Sequence, residues 1–279
     1  MRLDGRVALV TGAGRGLGAA YARAFAERGA SVVVHDAGVA LDGTGGDPTV
    51  ADTLVDEIRE RGGAAVACHE DLSSEPGARR GVELAADWFG RLDVVVHNAG
   101  LLVFERLEDA DRSWERVRRV TIDAPFHITR AAFPLMKNQR YGRLVFTTSG
   151  RAMWRKDALA GMSAYAAGKM AAFGLMLVAG TEGKEDGIFA NAISPVAATR
   201  MLQRASEPGE LDPELVVPGV LFLASERCTF SGVVLQAAGG RFSTVWWQRG
   251  DALDFGRAPV DPEAIAQRWQ EIDGAPRAA

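Results

Sequence analysis

Only two cysteines, Cys68 and Cys228, occur among 279 residues, and neither sits in a CxxC pair. A disulfide framework is thereby excluded, and reduced, buried thiols in a cytoplasmic protein are expected. Charge of one sign is scarce too: 32 Lys and Arg face 36 Asp and Glu, a net charge of −4. Arg79-Arg80 and Arg118-Arg119 fall in helical stretches and read as solvated faces, so no basic surface exists to neutralise nucleic-acid phosphates. The four histidines, His35, His69, His97 and His127, form no H-x-x-x-H or H-x-H pair, which leaves no metal site. No G-x-S-x-G elbow marks a serine hydrolase. No apolar run approaches the ~18 residues of a membrane span. The start, MRLDGRVALVTG, has no signal-peptide core, and the end, APRAA, carries no lipidation or peroxisomal address. Glycine alone is in excess, at 32 residues, where ~7% is usual.

Short β-branched runs alternate with helical patterns. The expected strands are Val7–Thr11, Ser31–His35, Ala64–Cys68, Leu92–His97, Arg143–Thr148, Ile188–Ile193 and Val233–Gln236. Helices are expected near Leu17–Arg28, Pro48–Arg61, Ser74–Phe89, Ser113–Lys137, Ser163–Lys184 and Asp212–Ala224. Such alternation predicts an α/β fold: a doubly wound, Rossmann-type parallel sheet of about seven strands in a single domain. A tail from Arg241 to Ala279 follows, with a last amphipathic helix near Pro262–Ile272. Two segments break the rhythm, a Gly-rich insertion at Ala37–Asp47 and a long loop at Arg151–Met162. Both lie beyond carboxyl ends of strands, where such sheets bind ligands, and are candidate site walls.

The first strand runs into Gly12-Ala-Gly14-Arg-Gly16-Leu-Gly18 and then a helix. Glycine allows positive φ and lets backbone approach a pyrophosphate at a helix N-terminus. Alone the turn is weak evidence, because glycines also serve packing. Asp36, at the end of the second strand, adds the carboxylate that would accept the adenosine ribose hydroxyls and repel a 2′-phosphate; by itself it would read as a solvated loop acid. Arg15 competes with that reading, since its guanidinium could take the extra phosphate of NADP. The balance favours NAD. Asp71 suits either the adenine amino group or a turn, and Asn98-Ala99-Gly100 is either room for a cofactor or a structural turn.

Tyr165 and Lys169 stand four apart on one helix face. A phenol of pKa ≈ 10 is a poor base at neutral pH without a nearby cation, which Lys169 supplies. Ser149, at the end of the fifth strand, could hold a substrate oxygen. Y-x-x-x-K is common on ordinary helices; its meaning comes from the order of glycine turn, acid, Asn-Ala-Gly turn, strand-end serine and Tyr-x-x-x-Lys.

On these residues the chain resembles the short-chain dehydrogenase/reductase family across nearly its whole length. The Asn191-x-x-Ser-Pro195 stretch adds to the match. HDAG with its Gly-rich insertion, RGGAAVA, ITRAAFPLMKNQRYGRLVFTTS, Thr199-Arg-Met201 and DPEAIAQRW are most similar to the (3R)-hydroxyacyl-CoA dehydrogenase units of multifunctional enzyme type 2. The resemblance implies hydride transfer between nicotinamide and a secondary alcohol or ketone, with Ser149, Tyr165 and Lys169 as catalytic residues and Thr121 completing a relay through water. It extends cofactor contacts to Leu17, Leu72, Pro195 and Thr199, and implies a bulky apolar substrate and a homodimer or homotetramer. Three departures accompany it: Thr121 stands where the family has Asn, His97 replaces the first Asn of N-N-A-G, and Ser149 and Tyr165 lie 16 apart, a few residues more than usual. A hydroxysteroid or polyketide-type enzyme, or a non-catalytic NAD-binding sensor, are the alternatives.

Overall fold

Strands made almost wholly of Val, Ala and Leu can be buried on both faces, and that is how the sheet is built. The computed structural model describes residues 1–202 and 207–273. Residues 1–245 form one unit, in which β1 (Val7–Thr11), β2 (Ser31–His35), β3 (Ala65–Cys68), β4 (Val94–His97), β5 (Gly142–Thr147), β6 (Ile188–Val196) and β7 (Val234–Ala238) run parallel. The order is β3-β2-β1-β4-β5-β6-β7-β8. The seven expected parallel strands are present, and an eighth, β8 (Arg241–Val245), adds to the edge antiparallel to β7. Gly239 and Gly240, both at positive φ, supply the two-residue turn that such a hairpin needs.

Alternate residues face opposite layers. Ala8, Val10, Val32, Val34, Val96 and Ile193 pack against Tyr21 and Phe25 of α1 (Gly16–Glu27), Leu54 and Ile58 of α2 (Thr49–Glu60) and Val220 and Leu223 of α8 (Val217–Ala224). Leu9, Val33, Val95, Leu144 and Phe146 face Val82 and Ala85 of α3 (Glu75–Phe89), Ile128 and Met136 of α5 (Ala124–Gln139), and Met176 of α7 (Ser163–Gly183). Each such side chain contributes about 1.5–3 kcal/mol by leaving water. The stretch Ser163–Asp186 is long and apolar enough to count as a candidate membrane span, which corrects the expectation that no such run exists. Here Ala172, Met176 and Ala179 of this stretch join the sheet core.

The helix expected over Ser113–Lys137 is two helices, α4 (Asp111–Arg118) and α5, joined by a π turn at Arg119–Asp123. Pro125 explains the widening: it has no N–H to offer the carbonyl of Thr121 four residues back. Ala124 N–H instead reaches the carbonyl of Arg119, five back.

At the amino ends of the strands the Asp93 carboxylate, fully buried, accepts from Arg6 Nη1 at 2.9 Å, Val7 N at 2.9 Å, and Arg91 Nε and Nη2 at 2.7 Å each. Beside it the buried Arg143 donates to the carbonyls of Ser225, Gly142 and Gly187. Arg6 and Arg143 both lie over the Tyr141 ring, at 3.7 and 4.2 Å from its centre.

Trp246–Ala279 forms a second unit. Asp261 caps α9 (Pro262–Gln267) by accepting from Glu263 N, and α10 (Trp269–Asp273) follows. The single helix expected near Pro262–Ile272 is thus broken at Arg268, whose guanidinium pairs with Glu271 and lies over Phe255. The closing APRAA lies outside the described residues.

Candidate active site

The order of the strands reverses between β1 and β4, and beyond their carboxyl ends a sheet of this topology leaves a crevice. Here that crevice is a cleft of about 870 Å³ lined by Gly12, Arg15, Gly16, Leu17, Asp36, Asp71, Leu72, Asn98, Ala99, Gly100 and Thr199, among others. Three glycines shape its floor. A Cβ on Gly12 (φ +62) would lie 2.9 Å from Ala99 Cα, and one on Gly18 2.1 Å from the carbonyl oxygen of Gly12. A Cβ on Gly16 (φ +54) would lie 3.2 Å from the Thr199 methyl. Arg15 occupies the N-cap of α1 without capping it, and the first turn holds no acid. The free N–H groups and positive helix end therefore face the cleft, an anion cradle that fits a pyrophosphate.

Asp36 closes one side of this cradle. Its Oδ2 accepts from Gly14 N at 2.8 Å and its Oδ1 from Gly38 N at 2.7 Å. The carboxylate is thus fixed at the cleft wall, while its remaining lone pairs stay free for ribose hydroxyls. Asp71 is engaged in a turn: Oδ1 accepts from Ser73 N at 2.8 Å and Oδ2 from the Ser73 hydroxyl at 2.5 Å. The helix cap there is Ser74, not Asp71. Asn98 spends its amide on the carbonyls of Thr11 and Gly12, 3.0 Å each, while the Thr11 hydroxyl accepts from the N–H groups of Asn98 and Ala99. The Asn-Ala-Gly turn therefore ties β4 to β1, and Ala99 and Gly100 form the wall.

Gly100 leads to Ser149, Tyr165 and Lys169. A Cβ there would lie 3.4 Å from Lys169 Nζ, so the ammonium sits against this turn. Ser149 lies two residues beyond β5 and caps the short α6 (Gly150–Met153), accepting from Arg151 N at 3.3 Å. Its hydroxyl lies near enough to the Tyr165 phenol to act on its proton affinity. Lys169 Nζ lies 5.7 Å from the Tyr165 ring centre, and the Thr148 hydroxyl donates to the Lys169 carbonyl at 2.9 Å, fastening α7 to β5. Burial pushes the Lys169 ammonium from 10.5 down to about 8.

Burial also raises the Tyr165 phenol above its ordinary value, opposed by the Ser149 hydroxyl and the charge of Arg151. This corrects the expectation that Lys169 brings the phenol down: desolvation prevails, and the opposing cation is Arg151. Thr121 is buried at the π turn and hands its hydroxyl proton to the Val117 carbonyl at 2.6 Å. Its hydroxyl abuts Gly168, where a Cβ would come within 2.1 Å. The side chain expected to serve a relay is thus engaged with its own helix. Pro195 does not line the cleft; it pairs with Ala237 in the sheet. His97 is buried and stacked on Phe146 at 4.5 Å, with Nε2 3.1 Å from the Thr129 hydroxyl. Desolvation pushes it down to about 3, so it is neutral packing.

Sequence reasoning missed the outer wall of the cleft, which Arg116, Arg119 and Val120 share with the insertion residues Val39, Leu41 and Gly43. The glycines of the insertion marked one half of that wall. Nothing in the α4 sequence marked the other, because only the fold brings it there.

A glycine cradle at a helix end, an acid after the next strand, and serine, tyrosine and lysine gathered beside the same cleft define a dinucleotide-dependent oxidoreductase of the Rossmann type. The chain belongs to the short-chain dehydrogenase family, whose model matches residues 6–209. It is 41% identical, over 98% of its length, to the peroxisomal multifunctional enzyme type 2 of Mus musculus, of which it spans 37%. Among solved structures it is similar to a short chain dehydrogenase from Mycobacterium avium, with a TM-score of 0.87 and 34% identity over 100% of this chain and 98% of that one. It is also similar to a 7α-hydroxysteroid dehydrogenase complexed with NADH and 7-oxo glycochenodeoxycholic acid, with a TM-score of 0.75 and 30% identity over 86% of this chain and 95% of that one.

Proposed function

We propose that this chain is an NAD-dependent dehydrogenase that interconverts a secondary alcohol and its ketone, with a 3-hydroxyacyl-CoA as substrate. The observation that carries the reading is Lys169 Nζ beside the Gly100 wall of the cleft, with the Tyr165 ring centre 5.7 Å from it and Ser149 next to the Tyr165 phenol. When bound, the nicotinamide ring supplies the carbon that accepts a hydride from the alcohol or returns it to the ketone. Gly12, Arg15, Gly16, Leu17 and Gly18 would hold the pyrophosphate, Asp36 the adenosine ribose, Asp71 and Leu72 the adenine side, and Lys169 and Thr199 the nicotinamide side.

The protein's own residues handle the oxygen and its proton. Tyr165 Oη takes the hydroxyl proton during oxidation and gives it back during reduction. Ser149 holds the same oxygen, and Lys169 lies beside the Tyr165 ring on the nicotinamide side. Such general acid–base catalysis is worth about 10²–10⁴-fold, with positioning supplying the rest. The preference for NAD rests on Asp36, whose fixed charge opposes a 2′-phosphate. The acyl-CoA rests on the subfamily resemblance in the sequence, and the likeness to a bile-acid enzyme makes a hydroxysteroid the second reading.

The test is reduction of NAD and NADP, followed by absorbance, with a panel of 3-hydroxyacyl-CoAs and hydroxysteroids. NAD-linked turnover of an acyl-CoA is expected. Turnover of free hydroxysteroids alone would replace the substrate but keep the mechanism, and tight NAD binding without any turnover would favour a sensor. Asp36→Ala is expected to relax the NAD preference; unchanged selectivity would remove Asp36 from that role.

A further inference from the structure

The insertion at Ala37–Asp47 is not an ornament on the surface. At its neck Asp47 N donates to the carbonyl of Ala37 at 3.0 Å, and Gly38 (φ +70) lies so close to Asp47 that a Cβ would sit 2.1 Å from its carbonyl oxygen. Asp36 holds this neck and the glycine turn together through its two carboxylate oxygens. At its far side Leu102 N donates to the carbonyl of Leu41, and Arg116 Nη1 to that of Asp42, both at 2.9 Å. Gly43 (φ +82) packs against Arg116 and Leu101. Between these ties the half-buried Val39 packs, together with Val103 and Val120, against a small apolar cluster of Leu101, Val117 and Ala164. Ala164 is buried, in the first turn of α7, immediately before Tyr165.

We propose that Val39 is a positioning residue for Tyr165: the insertion braces the catalytic helix, so that filling the adenosine half of the cleft sets the first turn of α7. The proposal rests on the dinucleotide reading above. An adenosine ribose on Asp36 loads the carboxylate that fixes the neck of the insertion, and a close-packed cluster passes small displacements on rather than absorbing them. Tyr165 is thereby ordered by a part of the cofactor that it never touches.

The test uses adenosine diphosphate, which fills the adenosine half and carries neither the second ribose nor the nicotinamide, with calorimetry for binding and hydrogen exchange on the full chain. In the native protein, binding is expected to slow exchange of the Ser163–Lys169 amides. At saturating ligand Val39→Ala is expected to lose that protection, and Val39→Ile to retain it. At saturating dinucleotide Val39→Ala is expected to lower kcat about tenfold, as a sub-ångström misplacement does. Binding without protection of these amides in the native protein would overturn the brace and leave the dinucleotide reading standing. Val39→Ala with native protection and native kcat would do the same. Failure of adenosine diphosphate to bind would overturn both.

Discussion

At the amino ends of the strands Asp93 meets two guanidinium groups and a backbone N–H, and the buried Arg143 finds three carbonyl acceptors. At the carboxyl ends Lys169 is nearly as deeply buried, yet its Nζ has no hydrogen-bond partner among the described residues; it lies 5.7 Å from the centre of the Tyr165 ring and beside Gly100 at the cleft. One sheet thus carries buried charge at both edges and satisfies it at one. A charge taken from water without a partner costs stability and persists where chemistry uses it. The amino edge holds the fold together. At the carboxyl edge a group perturbed in its proton affinity stands ready beside a cleft.

Substitutions at the two edges should separate stability from turnover. Tyr165→Phe is expected to lower kcat by about 10³-fold while dinucleotide affinity and melting temperature stay near native; fluorescence titration and steady-state rates check this, and substantial residual turnover would remove Tyr165 from the proton step. Asp93→Ala should do the reverse. It orphans the Val7 N–H and unpairs Arg6 and Arg91, so a loss of about 3 kcal/mol in denaturant unfolding is expected, with kcat of the folded fraction unchanged.

Lys169→Met tests whether the carboxyl edge pays for its function in stability. In the fold Lys169 loses its proton near pH 8 instead of 10.5, so the native state sheds a proton that the unfolded chain still holds. Stability from this group therefore rises with pH between about 8 and 10.5, and the burial penalty is fully present below pH 8. Removing the charge is expected to stabilise the protein by about 3 kcal/mol at pH 7 while turnover collapses. Thermal melts at pH 7 and pH 10 check it: the gain should shrink at the higher pH, and a destabilised variant at pH 7 would refute the unpaired charge.

Much of this contrast was legible in the sequence. The runs VALVT, SVVVH and VVVH are apolar except at their ends because both faces are covered, and these three strands appear where they were expected, within two residues. Tyr165 and Lys169 were visible through helical spacing, and the glycine turn through its place between strand and helix. What escaped depends on contacts remote in the chain. The π turn at Thr121 follows from Pro125, but Pro also sits quietly in the first turn of many helices. β8 was hidden because its exposed residues resemble a loop, although Gly239-Gly240 announced the turn. The brace from Val39 to Ala164 joins residues 125 positions apart, and neither looks unusual locally.

The smallest expected effect concerns Arg151, the cation that sequence reasoning did not assign. It follows Ser149 on α6, and its positive charge works against the burial that raises the Tyr165 phenol. Alcohol oxidation needs the phenolate and so should rise with pH through the Tyr165 titration, whereas ketone reduction needs the phenol and should fall. Removing a cation that favours phenolate moves both limbs towards higher pH. Arg151→Ala is therefore expected to displace the profile upward by less than about one pH unit, leaving the plateau rate of oxidation near native. Rates of oxidation and reduction measured from pH 6 upward on the native protein and the variant, in the range where a raised phenol titrates, decide it. Coincident profiles would return the tuning of Tyr165 to Ser149 and burial alone, and a profile displaced downward would mean that Arg151 holds the phenol in its protonated form.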